Sequence, residues 1–211
     1  LTILDSHLEA PKRISTGSIE IRGAVLPGTR LVVPGDVYVH GDVNNADITA
    51  GGSILTQGHV AGSTLKTTVL RAGGIIRVTS STEAELIAKG DVFVQESATS
   101  TKINAGGTLW MTADPGALIG GESQAMGGAV VRTLGHRDQV PTILEVGGEN
   151  QEIRRLRTEL ERQRLALEFP DDPSADTTDL AALCAGLEHR LAAATERDKQ
   201  RPPRLIIVGD A

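Results

Sequence analysis

Residues 70–78 read LRAGGIIRV, and the phrase returns four more times: LVVPGDVYV at 31–39, ITAGGSILT at 48–56, LIAKGDVFV at 86–94 and INAGGTLWM at 103–111. Aligned on a shared glycine, the five copies define a nine-position template, [LI]-x-[AV]-x-G-x-[VIL]-x-[VTM]. The anchoring glycines are Gly35, Gly52, Gly74, Gly90 and Gly107, separated by 17, 22, 16 and 17 residues. In a strand, alternate side chains face the same way. The positions two and four residues either side of the glycine therefore form one inward face, as in Leu86, Ala88, Val92 and Val94. Glycine falls where the chain must turn a corner, and its tolerance of φ > 0 is the expected reason.

A repeat of this length with one or two short strands reads as a solenoid. One coil cannot bury its apolar face alone, whereas stacked coils build parallel sheets around a continuous narrow core. The expected fold is an all-β parallel β-helix, a β-solenoid, over residues 15–149. Roughly seven coils at ~4.8 Å each would make it on the order of 35 Å long. The stretch 15–29, with Ile19 and Ile21 on one parity, reads as the first coil. Residues 1–14 have no clear period and read as an N-terminal cap or tail, because an uncapped end leaves strand groups unpaired. The template weakens after residue 111, where 116–135 keeps paired glycines and 142–148 (TILEVGG) reads as a further strand.

At residue 150 the pattern changes. Ile153, Leu156, Leu160 and Leu167 recur at heptad-like spacing after Asn150, a plausible N-cap. Pro170 and Pro173 break that run, and a second places Leu180, Leu183, Leu187 and Leu191 on one face. Together they point to an antiparallel α-helical coiled-coil hairpin inserted over 150–201. RLIIVGD (204–210) returns to strand composition, so 202–211 is expected to rejoin the solenoid.

Composition narrows the function. The net charge of −6 argues against a general nucleic-acid binder, which carries a basic stripe. Aromatic residues make up 2% of the 211, so the core is built from Val, Ile, Leu and Ala. The single cysteine, Cys184, allows no intramolecular disulfide and fits a reducing cytoplasm. No apolar run approaches the ~18–20 residues of a membrane span, and no signal-peptide pattern opens the chain. The first residue is Leu and not Met, so a fragment of a longer protein is expected.

The run from LRAGGIIRV through INAGGTLWM, followed by GALIGGESQAMGGAVVRTLG and TILEVG, resembles the β-solenoid domain of bacterial flagellar assembly protein A (FapA). The resemblance covers about residues 28–211. Its more specific parts are IGG…A (119–125), Leu134–Gly135 and the following TILEVG, because bactofilins and the cell-division inhibitor MinC also carry glycine-rich coils. The family implies a right-handed parallel β-helix with a projecting coiled coil. It also implies a bacterial cytoplasmic protein tied to flagellar assembly, with protein partners and no enzymatic chemistry.

Three residues after each template glycine, on the outward parity, stand Tyr38, Leu55, Arg77, Phe93 and Trp110, which include three of the chain's four aromatics. Tyr38, Leu55, Phe93 and Trp110 are the protein-contact candidates. The column either docks a partner or second copy, or is covered by the chain's own N-terminal segment or hairpin, and coverage is the preferred reading. His7, His40, His59, His136 and His189 show no metal-ligand spacing and read as surface or loop residues. Cys184 reads as an inert core residue. Asp36, Asp91 and Asp210 follow corner glycines and read as turn chemistry, not catalysis. The mixed charges of 150–168 read as a solvated helical face.

These readings converge on a non-catalytic scaffold with no cofactor or metal, no nucleic-acid partner and no membrane insertion. It would contact protein partners, a second copy among the candidates. A bactofilin-like polymer is the alternative, and a β-helix carbohydrate-active enzyme the more distant one.

Overall fold

The computed structural model describes residues 2–8, 12–13, 17–136, 141–147, 151–168, 178–199 and 205–207. The chain divides into two compact units, Leu1–Gly147 with Pro203–Ala211, and Gly148–Pro202.

The first unit is a parallel β-solenoid of about eight coils. Each coil presents three faces, one more than the one or two strands read from the repeat. The first face stacks Thr2–Leu4, Ile19–Ile21, Val37–Val39, Ile54–Thr56, the start of Ile76–Thr82 and of Val92–Thr99, Thr108–Met111, Gly128–Val131 and Leu205–Ile207. The second begins as single bridges, Leu8 to Val25 to Val43. It continues through His59–Ala61, the ends of the two long strands, Ala117–Ile119 and Thr133–Leu134. The third runs from Lys12–Arg13 through Arg30–Val33 and six further strands to Thr142–Val146.

Burial follows the template. Every position two or four residues from an anchoring glycine is buried, from Leu31 and Val33 in the first copy to Leu109 and Met111 in the last. Ile19, Val37, Ile54, Ile76, Val92, Leu109 and Ala129 stack in register as one fully buried column. Burying a side chain of this size contributes ~1.5–3 kcal/mol, while ordering each residue's backbone costs ~1–2 kcal/mol. A lone coil has too few such side chains to offset its ordering, so the coils are stable only as a stack.

Within 1–14, expected as a cap or tail, Thr2–Leu4 pair in register with Ile19–Ile21, Leu8 bridges Val25, and Lys12–Arg13 pair with Leu31–Val32, so these described residues add to the stack. Gly17 holds the corner that follows, but Arg13 and Ser15 stand where the template has apolar residues, so the phrase does not match there. The 22-residue gap between Gly52 and Gly74 holds a surface turn, closed by paired backbone bonds between Ser63 and Lys66 (2.9 and 3.0 Å). Leu205–Ile207 pairs with Ala129–Val131, so a strand that follows the helices in the chain returns to the sheet.

The reason for the corner glycines differs from the expected one. None of the five has a positive φ. They are needed because adjacent coils come close there. A Cβ on Gly107 would collide with Asp91 Oδ1, and one on the preceding residue of another pair, Gly73, with the backbone oxygen of Gly51. Through this corner runs a ladder of backbone bonds: Gly35 N–H donates to Gly17 O (3.0 Å), Gly52 to Gly35 (3.0 Å), Gly74 to Gly52 (2.8 Å), Gly90 to Gly74 (3.0 Å), Gly107 to Gly90 (3.0 Å) and Gly127 to Gly107 (2.8 Å). The left-handed corner lies instead between the second and third faces, at Gly28, Asn45, Glu83, Ser100 and Gly120 (φ of 85°, 43°, 48°, 47° and 64°).

The second unit holds two helices, α1 (Gln151–Glu168) and α2 (Thr178–Lys199). They share an apolar cluster of Ile153, Leu156, Leu160, Cys184, Leu187 and Ala194, with Leu167 and Leu191 partly buried against it. Leu183, expected on the apolar face, is 49% exposed, and Cys184 takes the buried place. The 180–184–187–191–194 spacing keeps the stripe on one side where 183 would swing away from it. Arg164 donates to Glu188 across the pair (2.6 Å), and this hydrogen bond, with the carboxylate's charge, holds the guanidinium proton more tightly than usual. Asn150, Pro170, Pro173 and Asp210 lie outside the described residues.

The close approach at the corner predicts unequal costs for identical substitutions. Gly73→Ala is expected to lose ~1–3 kcal/mol by overpacking against a backbone oxygen. Gly90→Ala, whose added methyl would lie 3.1 Å from its nearest atom, should stay within about 1 kcal/mol of the parent, because the stiffer unfolded chain offsets the contact. Urea unfolding followed by circular dichroism measures both.

Candidate functional site

The outward side of the first face carries the candidate column. The strand register aligns Ile3, Glu20, Tyr38, Leu55, Arg77, Phe93, Trp110, Val130 and Ile206, one per coil. The template marked only its middle five. Its extension to Val130 and Ile206 was present as alternation in GAVV and LIIV, but Ser123 and Ala129 break the template around Gly127, and no glycine stands three residues before Ile206. Tyr38 is 39% exposed and Ile206 48%, while Leu55, Phe93 and Trp110 are half-buried. Thr2–Leu4 pair at one end of this stack, next to Ile19–Ile21.

The aromatic side chains here are organised by one another. The Phe93 and Trp110 rings stack with centroids 6.3 Å apart and an interplanar angle of 9°. The Arg77 guanidinium lies over Phe93, 5.0 Å from its centroid. Parallel coils place equivalent side chains one above the next, so flat groups stack along the axis. Phe93 therefore spends both ring faces inside the column and presents an edge outward. Trp110 Nε1 donates to Asp91 Oδ2 at 3.3 Å, which ties the indole to the corner.

The corner next to this column is a second ladder, made by side chains. Ser18 Oγ accepts from Asp36 N–H (2.9 Å), Asp36 Oδ1 from Ser53 N–H (2.7 Å) and Ser53 Oγ from Ile75 N–H (3.3 Å). It stops at Ile75, whose side chain has no acceptor, and resumes where Asp91 Oδ1 accepts from Thr108 N–H (2.8 Å). The carboxylates of Asp36 and Asp91 are thus acceptors for the next coil's backbone.

Beyond the corner, Gly23, Gly41 and Gly58 form another close column, each six residues after Gly17, Gly35 and Gly52. That six-residue offset was legible in the sequence and was missed.

Among the histidines, His40 lies between Glu20 Oε1 (3.1 Å) and Gln57 Oε1 (3.2 Å), His59 bonds Ser80 Oγ (2.7 Å), and His7 Nδ1 accepts from Ala24 N–H (2.8 Å). Among the described residues no group of three or more His, Cys, Asp or Glu side chains is placed to hold a metal ion. No helix of the described chain is long and apolar enough to cross a membrane.

The family model for the flagellar assembly protein A β-solenoid domain matches residues 14–193. The chain belongs to the FapA family. The match spans the solenoid strands from Ile19–Ile21 to Thr142–Val146 and runs on through α1 and into α2. No curated protein and no solved structure matches the chain.

Asp91 joins the corner ladder to the aromatic stack, so removing it should disturb both. Asp91→Ala is expected to cost ~1.5–3 kcal/mol, the range for a hydrogen bond to a charged group. It should also change the emission of Trp110, the only tryptophan. Asp91→Asn, which keeps an oxygen acceptor, should lose less by urea titration.

Proposed function

We propose that the chain is a non-catalytic scaffold of bacterial flagellar assembly or positioning, working in the cytoplasm through protein contacts. The observation that carries this reading is the outward column of the first face. Partly exposed apolar and aromatic side chains continue there in register through successive coils. Contiguous apolar surface of this kind marks interaction sites. Tyr38, Leu55, Phe93 and Trp110 are the proposed contact residues, with Tyr38 and Leu55 the more available because Phe93 and Trp110 are engaged with each other.

Two further observations favour a scaffold over a carbohydrate-active enzyme. The corner carboxylates are occupied by backbone N–H groups. The stacked rings show edges where a sugar-binding platform needs a ring face. Helices α1 and α2 are read as an antiparallel coiled-coil hairpin inserted before the last strand, supported by their shared apolar seam and the Arg164–Glu188 pair. The second reading is a polymer built by stacking copies of the solenoid end to end.

The test is genetic complementation in a flagellated bacterium that encodes the chain. Deletion should reduce the number of flagella or misplace them in electron micrographs. The parent chain should restore them, and Tyr38→Ser/Leu55→Ser should not, although its circular dichroism stays that of the parent. Normal flagella in the deletion strain would contradict the role, and full rescue by the double variant would contradict the contact face. Light scattering that grows without limit as concentration rises would favour the polymer.

A further inference from the structure

Arg77 is the single cation in the outward column from Ile3 to Ile206. It is exposed, and no carboxylate of the described residues lies within ion-pair distance of it. The nearest acid in its own column is Glu20, three coils away, or ~14 Å at the usual strand spacing. An arginine on a β surface usually keeps its rotamer freedom. This one is oriented, because its guanidinium rests on the Phe93 ring, which is in turn backed by Trp110. The cost of fixing a long charged side chain has largely been met before any partner arrives.

Beside it lies a groove of about 380 Å³, with Tyr38, Leu55, Gln57, Thr79 and Gln95 among its walls. Leu55 and Tyr38 are the next two positions of the column and give an apolar floor. Gln57, Thr79 and Gln95 give neutral donors and acceptors. Thr79 Oγ1 donates to Gln57 O (2.8 Å) and to Gln95 Oε1 (3.4 Å), and Gln57 Oε1 meets His40, so the side-chain amide N–H groups of the two exposed glutamines are the donors at the rim. The groove is partly open to solvent, whereas small-molecule sites bury most of their ligand. An extended chain laid along the groove would cover it.

We propose that this groove binds an extended acidic segment of a protein partner, its carboxylate forked on Arg77 and an apolar side chain on Leu55 and Tyr38. The inference rests on the contact-face reading above and adds the partner's chemistry. A planar guanidinium matches a carboxylate through two parallel hydrogen bonds. Same-side residues of an extended peptide lie ~6.8 Å apart. That falls between one and two coil spacings, so the apolar residue stands two positions from the acid. Arg77 supplies the charge complementarity for such a segment within this groove.

The test is a titration of the isotope-labelled chain with two blocked pentapeptides, Gly-Leu-Gly-Glu-Gly and Gly-Leu-Gly-Gln-Gly, read by nitrogen–proton correlation spectra. The acidic peptide should shift the Arg77 Nε–Hε signal and the side-chain amides of Gln57 and Gln95 in a saturable way. The neutral peptide should leave them in place. Arg77→Gln should abolish the response, and Arg77→Lys, which keeps the charge but not the fork, should weaken it severalfold. Equal shifts with both peptides, or shifts confined to other residues, would overturn the proposal. So would the same shifts from sodium acetate alone, which would reduce the groove to a carboxylate spot. A failed titration alongside failed rescue by Tyr38→Ser/Leu55→Ser would sink the acidic partner while leaving the contact face standing. Full rescue by that double variant would remove the face itself.

Discussion

The structure depends on how closely one coil can lie on the next at the corner between the third and first faces. There the backbone of each coil donates directly to the backbone of the one before, glycine to glycine, from Gly127 back to Gly17. A side chain at most of these positions would push the coils apart. Parted coils would lose the strand register on both flanking faces, and with it the buried columns of Val, Ile and Leu. The apolar core provides the bulk of the stabilisation, but the glycine corner determines whether that core can be assembled at a uniform spacing.

Uniform spacing is also what makes the outer surface regular. Once the coils are in register, any outward position becomes a column, and its neighbours interact at a fixed separation. Ser18, Asp36 and Ser53 become a relay of acceptors, and Arg77, Phe93 and Trp110 become a stack. Neither arrangement could form between residues some 16–22 apart in an irregular chain. The proposed contact face is therefore a consequence of the fold's periodicity, and its recognition chemistry comes from the exposed Tyr38 and Arg77 with the half-buried Leu55 between them.

The architecture was legible from the five glycine-anchored phrases, because a two-residue alternation repeated around a fixed glycine has few physical solutions. What the sequence hid were features with no recurring letter. The left-handed corner is occupied by Gly28, Asn45, Glu83, Ser100 and Gly120, since one strained residue per coil can be met by several side chains. The first coil was hidden because Arg13 and Ser15 stand before Gly17 where the template has apolar residues. The seam of α2 was displaced by one residue, Leu183 for Cys184, because cysteine is small and is not counted as a heptad apolar position. The outward column was legible, but its internal stacking was not: sequence shows that Phe93 and Trp110 share a face, and only the register shows that they lie one above the other.

The measurement that bears most directly on this account is amide hydrogen exchange at the corner glycines. Gly52, Gly74, Gly90 and Gly107 lie in bends outside the strands, where amides of an ordinary surface turn exchange quickly. Cross-coil bonding predicts protection at these amides comparable to that of Ile54, Ile76, Val92 and Leu109 in the core strands. Exchange at the rate of an exposed turn, with the strands still protected, would contradict the claim that the glycine ladder holds the coils together.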